Sequence, residues 1–69
     1  MSEPLLVKSG KWSHANAIPF RLIEVGDYTF MQTKLGDGWH QITAPNGDRH
    51  TARFSHQTLT WARDWVNRQ

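Results

Sequence analysis

Residues 39–54 read WHQITAPNGDRHTARF and hold the strongest fold signal in the chain. Asn46-Gly47 stands between two runs of β-forming residues. Asn-Gly favours a two-residue hairpin, because a type I′ turn requires a positive φ at both central positions. Such a turn would place Pro45 opposite Asp48. The stretch therefore predicts two antiparallel strands joined at Asn46-Gly47.

Strict alternation of side chains assigns each residue of these strands to one face of the sheet. The predicted pairing sets Trp39 opposite Phe54, with Ala52 on the same side, so we expect this apolar side to be buried. The other side carries six residues: His40, Ile42, Ala44, Arg49, Thr51 and Arg53. That side is expected to face outward.

Turn signals recur at about ten-residue spacing, which is typical of an antiparallel meander. In addition to Asn46-Gly47, they are Gly26-Asp27 and Gly36-Asp37-Gly38. A turn at Gly26-Asp27 would pair Ile23 with Phe30 on one face of the sheet. It would pair Leu22 with Met31 on the other face.

The connection between the two hairpins decides whether they share one core. A two-residue turn at Gly36-Asp37, or alternatively at Asp37-Gly38, would bring Phe30 to the same side as Trp39. The expected core then consists of seven sheet residues and four helix residues: Ile23, Val25, Tyr28, Phe30, Trp39, Ala52 and Phe54, under Leu59, Ala62, Trp65 and Val66.

The hydrophobic period changes near the end of the chain. Leu59, Ala62 and Val66 recur at helical spacing. They predict a helix over residues 56–67 that begins after an N-cap at Ser55. Because a small sheet is only marginally stable alone in water, this helix is expected to cover one sheet face.

The predicted fold class is α+β, a small antiparallel β-meander of three to five strands packed on one C-terminal α-helix. Residues 1–69 are expected to form a single small domain. Within it, residues 1–19 form an N-terminal arm with room for a short strand. Residues 20–54 form the meander.

The composition excludes several classes of protein. The chain has no cysteine, so it can hold neither a disulfide nor a cysteine-rich zinc site. Its longest apolar run, Leu5-Leu6-Val7, is too short for a signal peptide or a membrane span. We therefore expect a soluble cytoplasmic protein. Its four tryptophans and net charge of +2 indicate an aromatic core and a mildly basic surface.

No catalytic or metal-binding pattern stands out. The predicted pairing puts His40 and His50 on opposite faces of the sheet, so they cannot share a metal ion. Ser13-His14 are neighbours without a third, orienting residue, and the glycines belong to turns rather than to a phosphate-binding loop. We expect a protein without enzymatic activity, with no metal, no cofactor and no small-molecule substrate.

The outward face is more apolar than a solvated sheet face usually is. We name four of its residues the apolar strip: Phe20, Leu22, Met31 and Ile42. Its cover is either the N-terminal segment, through Leu5, Val7 and Trp12, or a homodimer or other protein partner. On the helix, Trp61 is expected to lie toward solvent and to anchor a partner or a base, the alternative being the rim of the core.

Residues 38–66 resemble a known family. The shared features are a glycine-aromatic strand start, a glycine turn before a basic strand, and a terminal Phe followed by a helix. Here they are carried by Gly38, Trp39, Gly47, Arg49, Phe54, Ala62 and Trp65. The pattern is similar to the small βββα arm-type, AP2-related DNA-binding domains of phage tyrosine integrases. Ser55-His56-Gln57 departs from that family, which usually has a Thr-Lys pair there.

This resemblance implies that the face with His40, Arg49 and Arg53 lies in the DNA major groove. The expected function is a non-enzymatic module that binds nucleic acid through this basic face, with Thr51 as a fourth contact. The alternative is a small protein-binding adaptor or inhibitor that uses the apolar strip and Trp61. A phage-type protein and a dimer are both options for this alternative.

Overall fold

The computed structural model of the protein describes residues 6–14 and 17–69. They form a five-stranded antiparallel sheet, in which each strand lies beside the next one in sequence, and a C-terminal helix. The elements are β1 (Val7–Ser9), β2 (Phe20–Val25), β3 (Tyr28–Gly36), β4 (Trp39–Thr43), β5 (Arg49–Ala52) and α1 (Ser55–Asn67). The predicted α+β fold, a β-meander with one helix, is confirmed.

The β2–β3 hairpin has the predicted register throughout. Ile23 pairs with Phe30, and Leu22 pairs with Met31. Gly26 opens the turn with a φ of 59°, a value that favours glycine. Ile23 and Phe30 are both fully buried, so the inner face of this hairpin is also as predicted.

The β3–β4 connection contains one of the two expected turns and, in addition, a bulge. Asp37 and Gly38 have φ values of 53° and 84°, as a type I′ turn requires. Beyond this turn, Lys34 pairs with His40 and Leu35 is left over as a β-bulge. One extra residue shifts the alternation by one position. Strand β4 therefore faces the core with the side that was predicted to face outward.

The β4–β5 turn has three residues instead of two. The amide of Ala44 donates to the carbonyl of Asp48 at 2.7 Å, and Gly47 N donates to Ala44 O at 3.0 Å. Gly47 has a φ of 98°, whereas Asn46 has no positive φ, so a type I turn is followed by a left-handed glycine. Pro45 explains the difference, because it has no N–H to donate to Asp48, as the predicted two-residue turn requires.

The bulge in β3 and the extra turn residue each reverse the predicted inward and outward faces of the strands that follow. Strand β4 follows only the bulge, so its faces are reversed, whereas β5 follows both and keeps its predicted faces. Ile42 and Ala44 are buried, whereas Trp39 is 41% exposed. Phe54 is 55% exposed, because β5 has ended and Phe54 is the N-cap residue of α1. The prediction of Trp39 and Phe54 in the core and of Ile42 outside it is wrong, whereas the inward position of Ala52 is confirmed.

The core lies between the inner sheet face and α1. Its buried members are Ile23, Val25, Phe30, Ile42, Ala44, Ala62 and Trp65, and partly buried side chains pack around them: Val7, Tyr28, Leu59, Trp61 and Val66. Trp65 stands edge-on to Phe30, with ring centroids 5.4 Å apart. Trp65 therefore meets the β2–β3 half of the sheet through Tyr28 and Phe30.

Helix α1 is rotated relative to the prediction. Thr58, Ala62 and Trp65 are its buried residues, while Leu59 and Val66 lie at the border of the core. The helix begins at Ser55 itself, without a side-chain capping bond. A threonine therefore faces the sheet where the hydrophobic pattern predicted a leucine.

Gln32 of β3 accounts for this rotation. Its amide is fully buried, and its Nε2 donates to Ser55 Oγ at 2.9 Å and to Thr58 Oγ1 at 2.8 Å. Its Oε1 accepts a hydrogen bond from Arg21 Nε at 2.6 Å. Leaving such a buried amide without partners costs about 1–3 kcal/mol, so the helix turns its hydroxyl groups toward the sheet.

We expect Gln32→Leu to lower the free energy of unfolding by about 1–3 kcal/mol, since buried Thr58 loses a donor and Arg21 loses an acceptor. Urea unfolding measures this loss. Thr58→Val should cost less in the Gln32→Leu background than in the parent, because their hydrogen bond is already absent. The control is Gln41→Leu, the same change on the outer face of β4. Equal losses for the two glutamine variants would contradict this role for Gln32.

Asp48 fastens the β4–β5 turn to the helix. Its Oδ2 accepts hydrogen bonds from Trp65 Nε1 and from Asn46 Nδ2, both at 3.1 Å. The bond from Trp65, then the bond from Asn46, and finally the charge of Arg68 hold the pKa of the Asp48 carboxyl below its ordinary value. The fold therefore favours the ionised form of Asp48.

A carboxyl with a lowered folded-state pKa stabilises the fold above its unfolded pKa, and the contribution is lost as the pH falls through the folded pKa. We expect the melting temperature to decrease when the pH drops below about 4. Asp48→Asn should reduce that fall, because its amide does not titrate. Melting curves between about pH 6 and pH 3 test this, with Asp27→Asn in the exposed β2–β3 turn as the control. Identical acid sensitivity of Asp48→Asn and the parent would refute it.

Candidate functional site

The outer face of β4 and β5 carries arginines beside an exposed indole ring. Arg49 and Thr51 lie opposite Thr43 and Gln41, so all four side chains share the outer face. Arg53 follows β5, and its guanidinium carbon lies 5.8 Å from the centre of the Trp39 ring. We name four exposed residues the cationic stripe: Trp39, Arg49, Thr51 and Arg53. Of the predicted nucleic-acid contacts, the structure brings Arg49, Thr51 and Arg53 together.

His40 does not join them. The bulge in β3 places it on the inner face, opposite Ala52, where its Nδ1 lies 2.9 Å from the carbonyl oxygen of Gly38. The expected position of His40 beside the arginines is therefore wrong. His50 also lies on the inner face, since it pairs with buried Ile42, so the predicted separation of the two histidines on opposite faces is wrong as well.

The β2–β3 half of the outer face carries exposed apolar side chains. Leu22 is 54% exposed and Met31 is 41% exposed. Beside them lies a groove of about 500 Å³, lined by Ala17, Ile18, Phe20, Met31 and Thr33. Phe20, Leu22 and Met31 therefore form the apolar strip as predicted, whereas Ile42 belongs to the core.

The N-terminal segment does not cover this strip with the residues that the structure describes. Val7 pairs with Val25 and packs against the core, and the Trp12 ring lies among inner-face side chains. Leu5, the third expected cover, lies outside the described residues. The outer strip is thus open toward solvent at Leu22 and Met31.

Trp61 lies at the rim of the core rather than toward solvent. Its ring is stacked on His50 at 5.4 Å with an interplanar angle of 4°, and it stands edge-on to Phe30 at 6.4 Å. The expected solvent-facing position of Trp61 is wrong, because the rotation of α1 turns it toward the sheet. Its place in the structure is accounted for by packing.

A second group of basic side chains lies on the inner face, beyond the start of α1. Arg21 Cζ and Lys34 Nζ lie 4.6 Å and 4.4 Å from the centre of the Trp12 ring, and the His40 ring lies 6.3 Å from it. Partial burial lowers the pKa of the Arg21 guanidinium, which nevertheless stays charged at neutral pH. We name these four residues the Trp12 cluster.

Sequence reasoning missed both Trp39 and the Trp12 cluster as candidate binding groups. A usable signal for Trp39 was Pro45, whose missing N–H argues against the two-residue turn that placed the indole inside. Trp12 lies in a segment without hydrophobic periodicity, so its position could not be predicted. The folded chain shows that its ring lies next to the Lys34 ammonium group.

Neither a metal-binding group nor a helix able to span a membrane is found among the described residues. Within residues 6–14 and 17–69, His, Cys, Asp and Glu side chains form no group of three or more that could hold a metal ion. In that same part of the chain, no helix combines the length and the apolar character needed to cross a bilayer.

Comparison with known proteins adds no relative. The chain matches no protein-family model, no curated protein sequence and no solved structure. The resemblance to the arm-type domains of phage integrases therefore stays a prediction, and the candidate site is defined by its own geometry.

Proposed function

We propose that this chain is a nucleic-acid-binding module that works through the cationic stripe. The observation that carries the proposal is the position of Trp39, a large aromatic side chain 41% exposed on the outer face with the Arg53 guanidinium beside its ring. Packing accounts for Trp61 and Trp65, but the core of this small domain closes without Trp39. An exposed indole with one guanidinium beside it and a second arginine on the same face suits a ligand with both flat rings and negative charges.

Nucleic acids have both properties. Base stacking on an aromatic side chain contributes about 1–3 kcal/mol per base and tolerates any base sequence. Arginine binds phosphate oxygens with two hydrogen bonds from one planar group. Arg49 and Arg53 lie at opposite ends of β5, so they can reach different phosphates of one strand, with Thr51 between them as a hydroxyl donor.

We expect Arg49→Ala with Arg53→Ala to remove most of the affinity for nucleic acid. The slope of log Kobs against log salt should become shallower by about 1.4 for single strands or about 1.8 for a duplex, since two phosphate contacts are lost. Fluorescence anisotropy with labelled oligonucleotides at several salt concentrations measures both quantities. The melting temperature should stay nearly unchanged, because both side chains are exposed.

The control for this experiment is Arg63→Ala with Arg68→Ala, which removes the same charge from exposed positions of α1 and its C-cap, outside the cationic stripe. It should bind nearly as well as the parent. The proposal fails if the parent protein binds neither duplex nor single strand at low salt. It also fails if the stripe variant binds as tightly as the parent.

The exposure of the apolar strip at Leu22 and Met31 favours a second candidate function, a protein-binding adaptor. Leu22 and Met31 are exposed next to a groove of about 500 Å³, and apolar patches of this kind often mark protein interfaces. A homodimer through this strip would be its simplest form, because a two-fold interface uses the same patch twice. Of the two functions, nucleic-acid binding explains Trp39 and the arginines, and protein binding explains the strip.

The strip makes its own prediction about association. If it binds a second copy, light scattering across a concentration series should show a growing dimer fraction, and Leu22→Glu should keep the protein monomeric by placing a charge in the interface. Thr60→Glu, at an exposed position of α1, is the control and should dimerise like the parent. A parent protein that stays monomeric at every concentration would refute the homodimer.

A further inference from the structure

The start of α1 leaves part of the inner sheet face uncovered. Ser55 and Thr58 are hydrogen-bonded to Gln32, which fixes the first turn of the helix over that residue. Lys34 pairs with His40 closer to the β3–β4 turn than Gln32, beyond the N-terminal end of α1. The Lys34 side chain is exposed there.

The Trp12 cluster occupies this uncovered area. Two cationic groups lie less than 5 Å from the centre of one indole ring. The Arg21 guanidinium is held in place by Gln32 Oε1 at 2.6 Å, and its Nη2 lies 3.4 Å from Ser55 Oγ. The cluster therefore offers oriented positive charge and an aromatic ring, the same combination as the cationic stripe on the other face.

The two groups are joined around the β3–β4 turn. Trp39 and His40 are consecutive residues, so their side chains point to opposite faces of a strand while their Cα atoms are only about 3.8 Å apart. A cavity of about 280 Å³ is lined by residues from both groups and by the turn: Lys34, Gly36, Gly38, Trp39 and His40. The cavity lies at the turn, where a flexible chain can pass around the end of the sheet from one face to the other.

We propose that the ligand is a single-stranded nucleic acid, which runs from the cationic stripe around the β3–β4 turn onto the Trp12 cluster. This inference rests on the proposed function. A duplex is stiff over about 150 base pairs, so one lying on the outer face cannot bend onto the inner face within a few ångströms. A single strand can bend there, stack a base on Trp39 with a phosphate at Arg53, and reach Lys34 with a following phosphate.

The test compares Lys34→Glu with Lys8→Glu. Lys8 is an exposed lysine of β1, far from the β3–β4 turn, so both variants change the net charge equally and keep the core intact. The probes are a labelled oligothymidine of about twelve nucleotides, which is within the usual site size of single-strand binders, and a mixed-sequence duplex. Anisotropy is read over a series of salt concentrations, and melting curves confirm that both variants are folded.

We expect Lys34→Glu to weaken oligothymidine binding more than Lys8→Glu does, with a salt slope shallower by about 0.7, which corresponds to one phosphate contact. Duplex binding should be the same for both variants. If the two variants bind oligothymidine equally while Arg49→Ala with Arg53→Ala still reduces binding, the single-strand path is wrong and the proposed function stands. If the parent binds neither probe, both proposals are wrong.

Discussion

The buried amide of Gln32 is the constraint on which the arrangement of this molecule depends. It is fully buried on the inner sheet face, out of reach of solvent, and its partners are Ser55, Thr58 and Arg21. Among the described residues, no buried side-chain nitrogen or oxygen lacks a hydrogen-bond partner. The rotation and the starting point of α1 follow from this network, and so does the orientation of Arg21 toward Trp12.

The rotation of α1 also decides which sheet residues can be buried. It directs Trp61 and Trp65 toward the sheet, where both rings contact Phe30. Protein interiors are close-packed, so two indole rings leave room for only medium and small side chains on β4 and β5. Ile42, Ala44 and Ala52 fit that space. The bulge at Leu35 is the irregularity of β3 that directs Ile42 and Ala44 toward it.

The fold and half of the candidate site were readable from sequence, for a physical reason. Turn chemistry is local, so Gly26-Asp27 fixed the β2–β3 register, and the outward position of Leu22 and Met31 followed. The face of β4 depends on packing against the helix, which no local pattern contains, and the prediction there inverted Trp39 and Ile42. Arg49, Thr51 and Arg53 were nevertheless placed outward, because the bulge and the three-residue turn cancel at β5. His40 was misplaced because it lies between those two shifts.

The outer face can serve both candidate functions at once only for some partners. The apolar strip lies on β2 and β3 and the arginines on β5, and since neighbouring strands are about 4.8 Å apart, at least about 10 Å separates them. A helix about 10 Å wide fits over the strip without reaching β5. A second copy packed face to face would cover Arg49 and Arg53 as well. Dimerisation through the strip and nucleic-acid binding should therefore compete, whereas a narrow protein partner leaves the arginines accessible.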